Sequence, residues 1–341
     1  MQSSRAPNAE AIASGKPTPL WRKAIPYFGT ILIFGLIFWR IPIAKVAASL
    51  RQIPVFEFIA LFMPYSLFFF VIDAFCLAWV VRRFNAPMTF SEILPISASK
   101  YLLSLINTGI GQGGVAYYLH RKGGIAFLAA LSSIFFIALM EVYQLFLFST
   151  VGVVFYHAVE PRQARIVSVL RFVYVAAWLL LVLVMILFAA ARRRAAIREW
   201  IEGSRLGAIA ATFLRAHPLD YLTVLAIKAP SFLGSVIVQY FALSLYGISV
   251  PFLKLMMFLP LVFLSAALPI SVAHLGTSQA AWLLFFSGNA PAERILAYSL
   301  AQPLLFMICN GLIGLAFLPR ASRELTRIAS ESPQPSSNAA S

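Results

Sequence analysis

The sequence has 341 residues, 61% of them hydrophobic and only 11% charged, against roughly 25% charged residues in soluble domains. A water-soluble globular enzyme is excluded by that balance. The net charge of +15 would suggest nucleic acid in a soluble chain, but here the basic residues stand at the ends of apolar runs, as in membrane proteins. The expected partner is therefore membrane lipid and not nucleic acid, and binding of anionic headgroups is compatible with the same charges.

In chain order, residues 1–23 are polar and rich in Ala, Ser and Pro, and they read as a disordered tail. The first apolar run, about 24–39, follows Arg22 and Lys23. Small residues at Val46, Ala47 and Ala48 give it some likeness to a signal peptide, but the run lies late and is flanked by Lys45 and Arg51, so an uncleaved span is predicted. Further spans are predicted at about 55–80, 124–156, 173–191, 219–246 and 295–318, each long enough for roughly 30 Å of hydrocarbon. Two stretches, about 91–120 and 251–290, are apolar but interrupted, the first by Pro95, Lys100 and a glycine cluster, the second by Pro260, Pro269, His274 and Gly276. Residues 192–218 read as a basic polar connection and 319–341 as a disordered tail. Cys76 and Cys309 lie inside apolar runs and read as buried small hydrophobes. The predicted fold is all-α: one polytopic membrane domain over 24–318, with about six to eight transmembrane helices and two broken or re-entrant segments.

Charge predicts the orientation. With both interrupted stretches re-entering, segments 1–23, 81–123, 192–218 and 319–341 hold 4, 5, 6 and 3 Lys and Arg, 18 in all, against 3, 3 and 2, 8 in all, for 40–54, 157–172 and 247–294. Both termini are therefore expected in the cytoplasm. Full crossing by both stretches leaves that parity unchanged. The re-entrant arrangement also implies an inverted repeat, with one broken segment entering from each side, and such pairs point to a transport site near the midplane. The identical tetrapeptides at 94–97 and 268–271 hint at the same repeat.

The densest candidate segment runs from Asn107 to Gly114, with Gly109, Gly111, Gln112 and Gly113 between. Gly109, Gly111 and Gly114 match G-x-G-x-x-G in spacing, but no strand precedes them, so a dinucleotide site is not expected. Two readings remain: close helix packing by small residues, or a helix break whose restarting N–H groups hold a lipid phosphate. Arg121 and Lys122 read either as membrane-surface anchors or as cationic neighbours of that site. The second candidate runs from Ser271 to Gln279. His274 reads as a packing residue or as a headgroup ligand or proton carrier, and Gly276, Thr277, Ser278 and Gln279 can cap a restarting helix. Asp73, Glu141 and Lys228 lie within spans, where ionisable groups mark function or buried pairs. Asp73 is expected to pair with Arg82 or face a wet vestibule. Glu141 and Lys228 are expected to pair across the two halves, so that exchanging their charges restores folding. No hydrolytic motif, metal cluster or cofactor motif is present in the sequence.

The glycine segment followed by Arg121, Lys122, Gly123 and Gly124, the span holding Glu141, and the stretch from Pro260 through Ser271 to Gly276, Thr277 and Gln279 together resemble the flippase-like family that includes the transmembrane part of lysylphosphatidylglycerol synthase. The resemblance covers about 25–318 and implies a helical fold with re-entrant segments and a role in moving or handling lipids. Members that transfer aminoacyl groups carry a large soluble domain, whereas only about twenty residues follow the last span here, so that activity is not expected. Members often carry a glutamate after the glycine of each broken segment. Here Gln112 and Gln279 stand instead, which implies a different headgroup or an uncoupled mechanism.

The function expected is a flippase or transporter of the cytoplasmic membrane acting on a phospholipid or polyprenyl-phosphate glycolipid. Backbone N–H groups near Gly111–Gly114 and Gly276–Gln279 would hold the phosphate, and no enzymatic step is expected. The alternatives are a membrane partner or scaffold of a lipid- or glycan-synthesis enzyme, and an intramembrane enzyme using His274 and Glu141 as acid and base.

Overall fold

The computed structural model describes residues 32–106, 108–157, 161–192, 205–266 and 276–331, and no strand occurs among them. A short helix α1 (Leu32–Arg40) turns by 89° into α2 (Ile43–Leu50). Then follow α3 (Val55–Phe84), α4 (Phe90–Ile106), α5 (Thr108–Gly123), α6 (Phe127–Phe155) and α7 (Pro161–Arg192). The chain continues as α8 (Arg205–Arg215), α9 (Pro218–Leu245), α10 (Phe252–Ala266), α11 (Thr277–Phe286) and α12 (Ala292–Glu331). Five helices are long and apolar enough to cross a bilayer, or six if α1 and α2 count as one bent span. The last span expected at 295–318 is found at Ala292–Arg320, and its helix runs on to Glu331, so the first part of the tail expected to be disordered from 319 is helical. The connection at 192–218 likewise contains α8, held on α6 where the Thr212 N–H donates to Ser132 Oγ at 2.9 Å.

The arrangement follows from three sets of contacts. Helices α3 and α9 are antiparallel: Arg83 Nε meets Asp220 Oδ1 at 2.9 Å at one end, and the rings of Phe58 and Tyr246 lie 6.5 Å apart at the other. We call the Arg83 end the near face and the Tyr246 end the far face. α12 runs parallel to α3, with ring contacts from Phe58–Tyr298 through Tyr65–Phe306 to Phe70–Phe317. The Tyr246 hydroxyl also donates to Ser49 O at 2.6 Å, which fixes α2 at the far face.

Both interrupted stretches are helical hairpins. In the first, the Tyr118 hydroxyl of α5 donates to Glu92 O of α4 at 2.8 Å, so the arms are antiparallel with both outer ends at the near face. In the second, the rings of Phe258 and Phe285 stack at 4.6 Å and Lys254 Nζ donates to Asn289 Oδ1 at 2.7 Å, with both outer ends at the far face. Each first arm has 15 to 17 residues, or about 25 Å at 1.5 Å per residue. The hairpins therefore enter from opposite faces and return, and α3–α6 and α9–α12 form an inverted repeat.

The repeats interlock through glycine. Gly152 of α6 lies so close to α10 that a Cβ there would stand 2.5 Å from Met257 backbone atoms, and Ser149 Oγ donates to Met257 O at 2.6 Å. Gly314 of α12 faces α4 in the same way: its Cβ would stand 3.0 Å from Ala98 O. Each repeat's closing helix thus packs on the first arm of the other repeat's hairpin. Of the two identical tetrapeptides, Leu94–Ser97 sits inside α4, and 268–271 lies outside the described residues.

Candidate functional site

The buried apolar residues divide into two principal clusters. One fills the far half around Phe58, Phe232 and Trp282, and the other fills the near half around Val80, Phe136 and Val224. At the level between them stand four charges from four helices: Asp73 (α3), Lys100 (α4), Glu141 (α6) and Lys228 (α9). Lys100 pairs with Asp73. Lys228 Nζ lies 2.8 Å from Asp73 Oδ1 and 2.5 Å from Glu141 Oε1, and its side chain is only 2% exposed. The expected Glu141–Lys228 pair is therefore present. Asp73 pairs with the two lysines and not with Arg82, because α4 and α9 bring ammonium groups to its own level.

The quartet is electrically neutral, two carboxylates against two ammonium groups. That neutrality makes it tolerable in a low-dielectric interior, where a lone charge is expensive. Lys228 also stands over the ring of Phe69, 5.4 Å from its centroid. It is the only member contributed by the second repeat, so it ties the two repeats together.

Glu141 is the most open member, with 42% of its side chain exposed, and it lines two cavities. The smaller, about 40 Å³, is on the near side of the quartet and is bounded by Asp73, Lys100, Gln112 and Ile134; a water's share of liquid volume is about 30 Å³. The larger, about 260 Å³, is on the far side, where Tyr65, Gln144, Ser235, Phe263 and Gln302 join Glu141 and Lys228. Three of its helices carry an internal proline beside a lining residue: Pro64 beside Tyr65, Pro230 beside Ser231, and Pro303 beside Gln302. A proline removes one helical N–H and frees the carbonyl four residues earlier. The carbonyl freed by Pro303 is Ser299 O, and the buried Gln279 Nε2 donates to it at 3.1 Å.

These positions revise the sequence reading of the glycine segments. Gly111 and Gly114 are packing residues: a Cβ on Gly111 would lie 3.2 Å from Lys100 O and against Ser104, and one on Gly114 would lie 2.7 Å from Leu103. Gly113 faces open space, and Gly109 is exposed. In the second hairpin, Gly276 has φ +102° and its N–H donates to Gln279 Oε1 at 2.6 Å. The restarting helix is thus capped by its own glutamine, with Thr277 buried beside it, and that N–H is not free for a headgroup. Arg121 donates to the Tyr117 hydroxyl at 3.1 Å, and, nine residues from Gln112, it lies about 13 Å along the helix from that lining residue of the small cavity. Asn107 and His274 lie outside the described residues. Gln112, Glu141 and Lys228 are the expected site residues that the fold brings to the cavities. Lys100, Gln144 and Gln302 were not singled out as site residues, although an ionisable Lys100 within an apolar stretch was a readable signal.

The model of the family described as the lysylphosphatidylglycerol synthase TM region matches residues 24–322. No curated protein and no solved structure matches the chain. With most of its length covered by that match, the chain belongs to the family of the lysylphosphatidylglycerol synthase transmembrane region, a membrane family linked to lipid metabolism.

Proposed function

We propose that this protein moves a phosphate-linked lipid, a phospholipid or a polyprenyl-phosphate glycolipid, across the cytoplasmic membrane, and that it is a transporter and not an enzyme. The observation that carries this reading is the neutral charge quartet at the junction of two inverted repeats, with one cavity on its near side and another on its far side. Opposed broken segments around a central site are the architecture of alternating access. In this reading the repeats rock about Lys228, and the headgroup passes Glu141 while the acyl chains stay in lipid. The excess of Lys and Arg in the segments expected inside supports, by the positive-inside rule, a cytoplasmic near face.

The test is transbilayer movement of labelled phospholipids and polyprenyl-phosphate lipids in vesicles holding only the purified protein. Movement of one class above protein-free vesicles is expected, and Glu141→Gln should slow it about tenfold or more, the effect of ~1.4 kcal/mol on a barrier. If folded, inserted protein moves none of these lipids, the transport reading fails and a presenting or scaffolding role takes its place.

A further inference from the structure

The larger cavity has a composition that selects among headgroups. Its walls include the aromatic side chains of Tyr65, Phe69, Phe232, Phe263 and Phe306. Its polar groups are the amides of Gln144 and Gln302 and the hydroxyls of Tyr65, Ser231 and Ser235, of which Tyr65 donates to Ser231 O at 3.1 Å and Ser231 to Lys228 O at 2.7 Å. Among the described residues its only charges, Lys228 and Glu141, are bonded to each other at 2.5 Å. Gln302 makes no hydrogen bond to protein among the described residues, and Gln144 reaches only Leu225 O, at 3.5 Å, the outer limit for such a bond.

Amides and hydroxyls offer donors and acceptors together, as a ligand rich in hydroxyl groups requires. An ammonium group only donates and an ionised phosphate only accepts. Among the described residues a net-charged group in this cavity would also lack a free countercharge, because Lys228 and Glu141 are committed to each other and Lys228 to Asp73 as well. Burial of an unpaired charge is strongly unfavourable. The aromatic faces meanwhile suit the C–H faces of a sugar ring. At about 260 Å³, the cavity falls just below the roughly 300–1,000 Å³ that holds drug-sized ligands, which suits one ring-sized headgroup without its chains.

We propose that this cavity binds the uncharged polyhydroxyl part of a lipid headgroup, a hexosyl unit, held by Gln144 and Gln302 and flanked by the rings of Tyr65, Phe69 and Phe306. A phosphate linking that unit to its lipid would lie outside the cavity. The inference rests on the reading that the cavity receives the transported headgroup, and it narrows the substrate to a glycolipid.

The experiment measures binding of three labelled lipids with identical chains to the full protein in nanodiscs: a monohexosyl diacylglycerol, phosphatidic acid and phosphatidylethanolamine. Transbilayer movement of the same three lipids is measured in parallel. The hexosyl lipid is expected to bind about tenfold or more tightly than the other two, with a loss of about five- to tenfold in Gln302→Leu and in Gln144→Leu. Both variants keep the cavity's volume and remove only weak or absent protein hydrogen bonds, so thermal unfolding should be unchanged. Equal binding of the three lipids, or wild-type binding in both folded variants, overturns the proposal. Displacement of the hexosyl lipid by free glucose at equal concentration overturns its assignment to a lipid. A hexosyl lipid bound while none of the three lipids is moved upholds the cavity assignment and removes transport. A charged lipid moved without hexosyl binding does the reverse.

Discussion

Asp73 is the residue on which the buried charges converge, since it accepts from both lysines. This changes the outcome of a simple charge exchange. Exchanging Glu141 and Lys228 would set a second carboxylate beside Asp73, so the exchanged double variant should fold no better than the worse single variant. Replacing Lys228 with Met leaves two carboxylates short of a partner, and a cost of about 3–5 kcal/mol is expected. Thermal unfolding of the purified variants checks both statements, and recovery of wild-type stability by the exchanged protein would contradict them. Glu141→Gln removes one charge from the most open position and should cost less than Lys228→Met in the same measurement. At the near face, the Thr89 N–H and hydroxyl both bind Glu92 Oε2, at 2.8 and 2.7 Å, and they hold its carboxyl below the ordinary range. A lowered folded-state pKa gives stability that is present above the unfolded value and lost as pH falls through the folded one. Glu92→Gln should therefore flatten the acid limb of the stability profile and leave the neutral limb's slope unchanged.

Among elements, the hairpins are held by close approach as well as by polar bonds such as Ser149 Oγ to Met257 O, so glycine positions report on them. Gly152→Ala and Gly314→Ala should each cost about 1–3 kcal/mol by overpacking, because the obstructing atoms at both sites include backbone. Gly113→Ala, which meets open space, should stay within about 0.5 kcal/mol. Equal tolerance of all three in unfolding measurements would contradict the interlocked packing. Gly111→Val is unsuitable as a probe of a headgroup site, because it would separate the two arms of its hairpin. The sequence made each long helix legible through its apolar run, and it marked the two interrupted stretches through Pro, Gly and Lys100. It did not distinguish a packing glycine from a backbone-binding one, because both need the absence of a Cβ and differ only in what occupies the space. Nor did it show that Gln279 closes its own helix and satisfies Ser299, since that acceptor is twenty residues away and is freed by Pro303.

For the whole molecule, charge distribution and helix order together implied an inverted repeat, and the fold realises it through the cross-packing of α6 on α10 and α12 on α4. The quartet was legible in part. Asp73, Glu141 and Lys228 stand out as ionisable groups within apolar spans, but their common depth depends on how far each helix slides against its neighbours, which no local pattern encodes. The larger cavity was legible only through Glu141 and Lys228, because its lining comes from five separate helices and consists mostly of residues ordinary in a membrane span.

Alternating access in this protein means that the two cavities exchange access around the quartet. It is tested most directly by labelling Gln112→Cys and Gln302→Cys proteins in sealed vesicles with a membrane-impermeant thiol reagent, applied from one face at a time, with and without a transported lipid. The account predicts that Gln112→Cys labels from the near face, that Gln302→Cys labels from the far face, and that the lipid shifts the two rates in opposite directions. Labelling of both positions from a single face, or rates that rise and fall together, would contradict it.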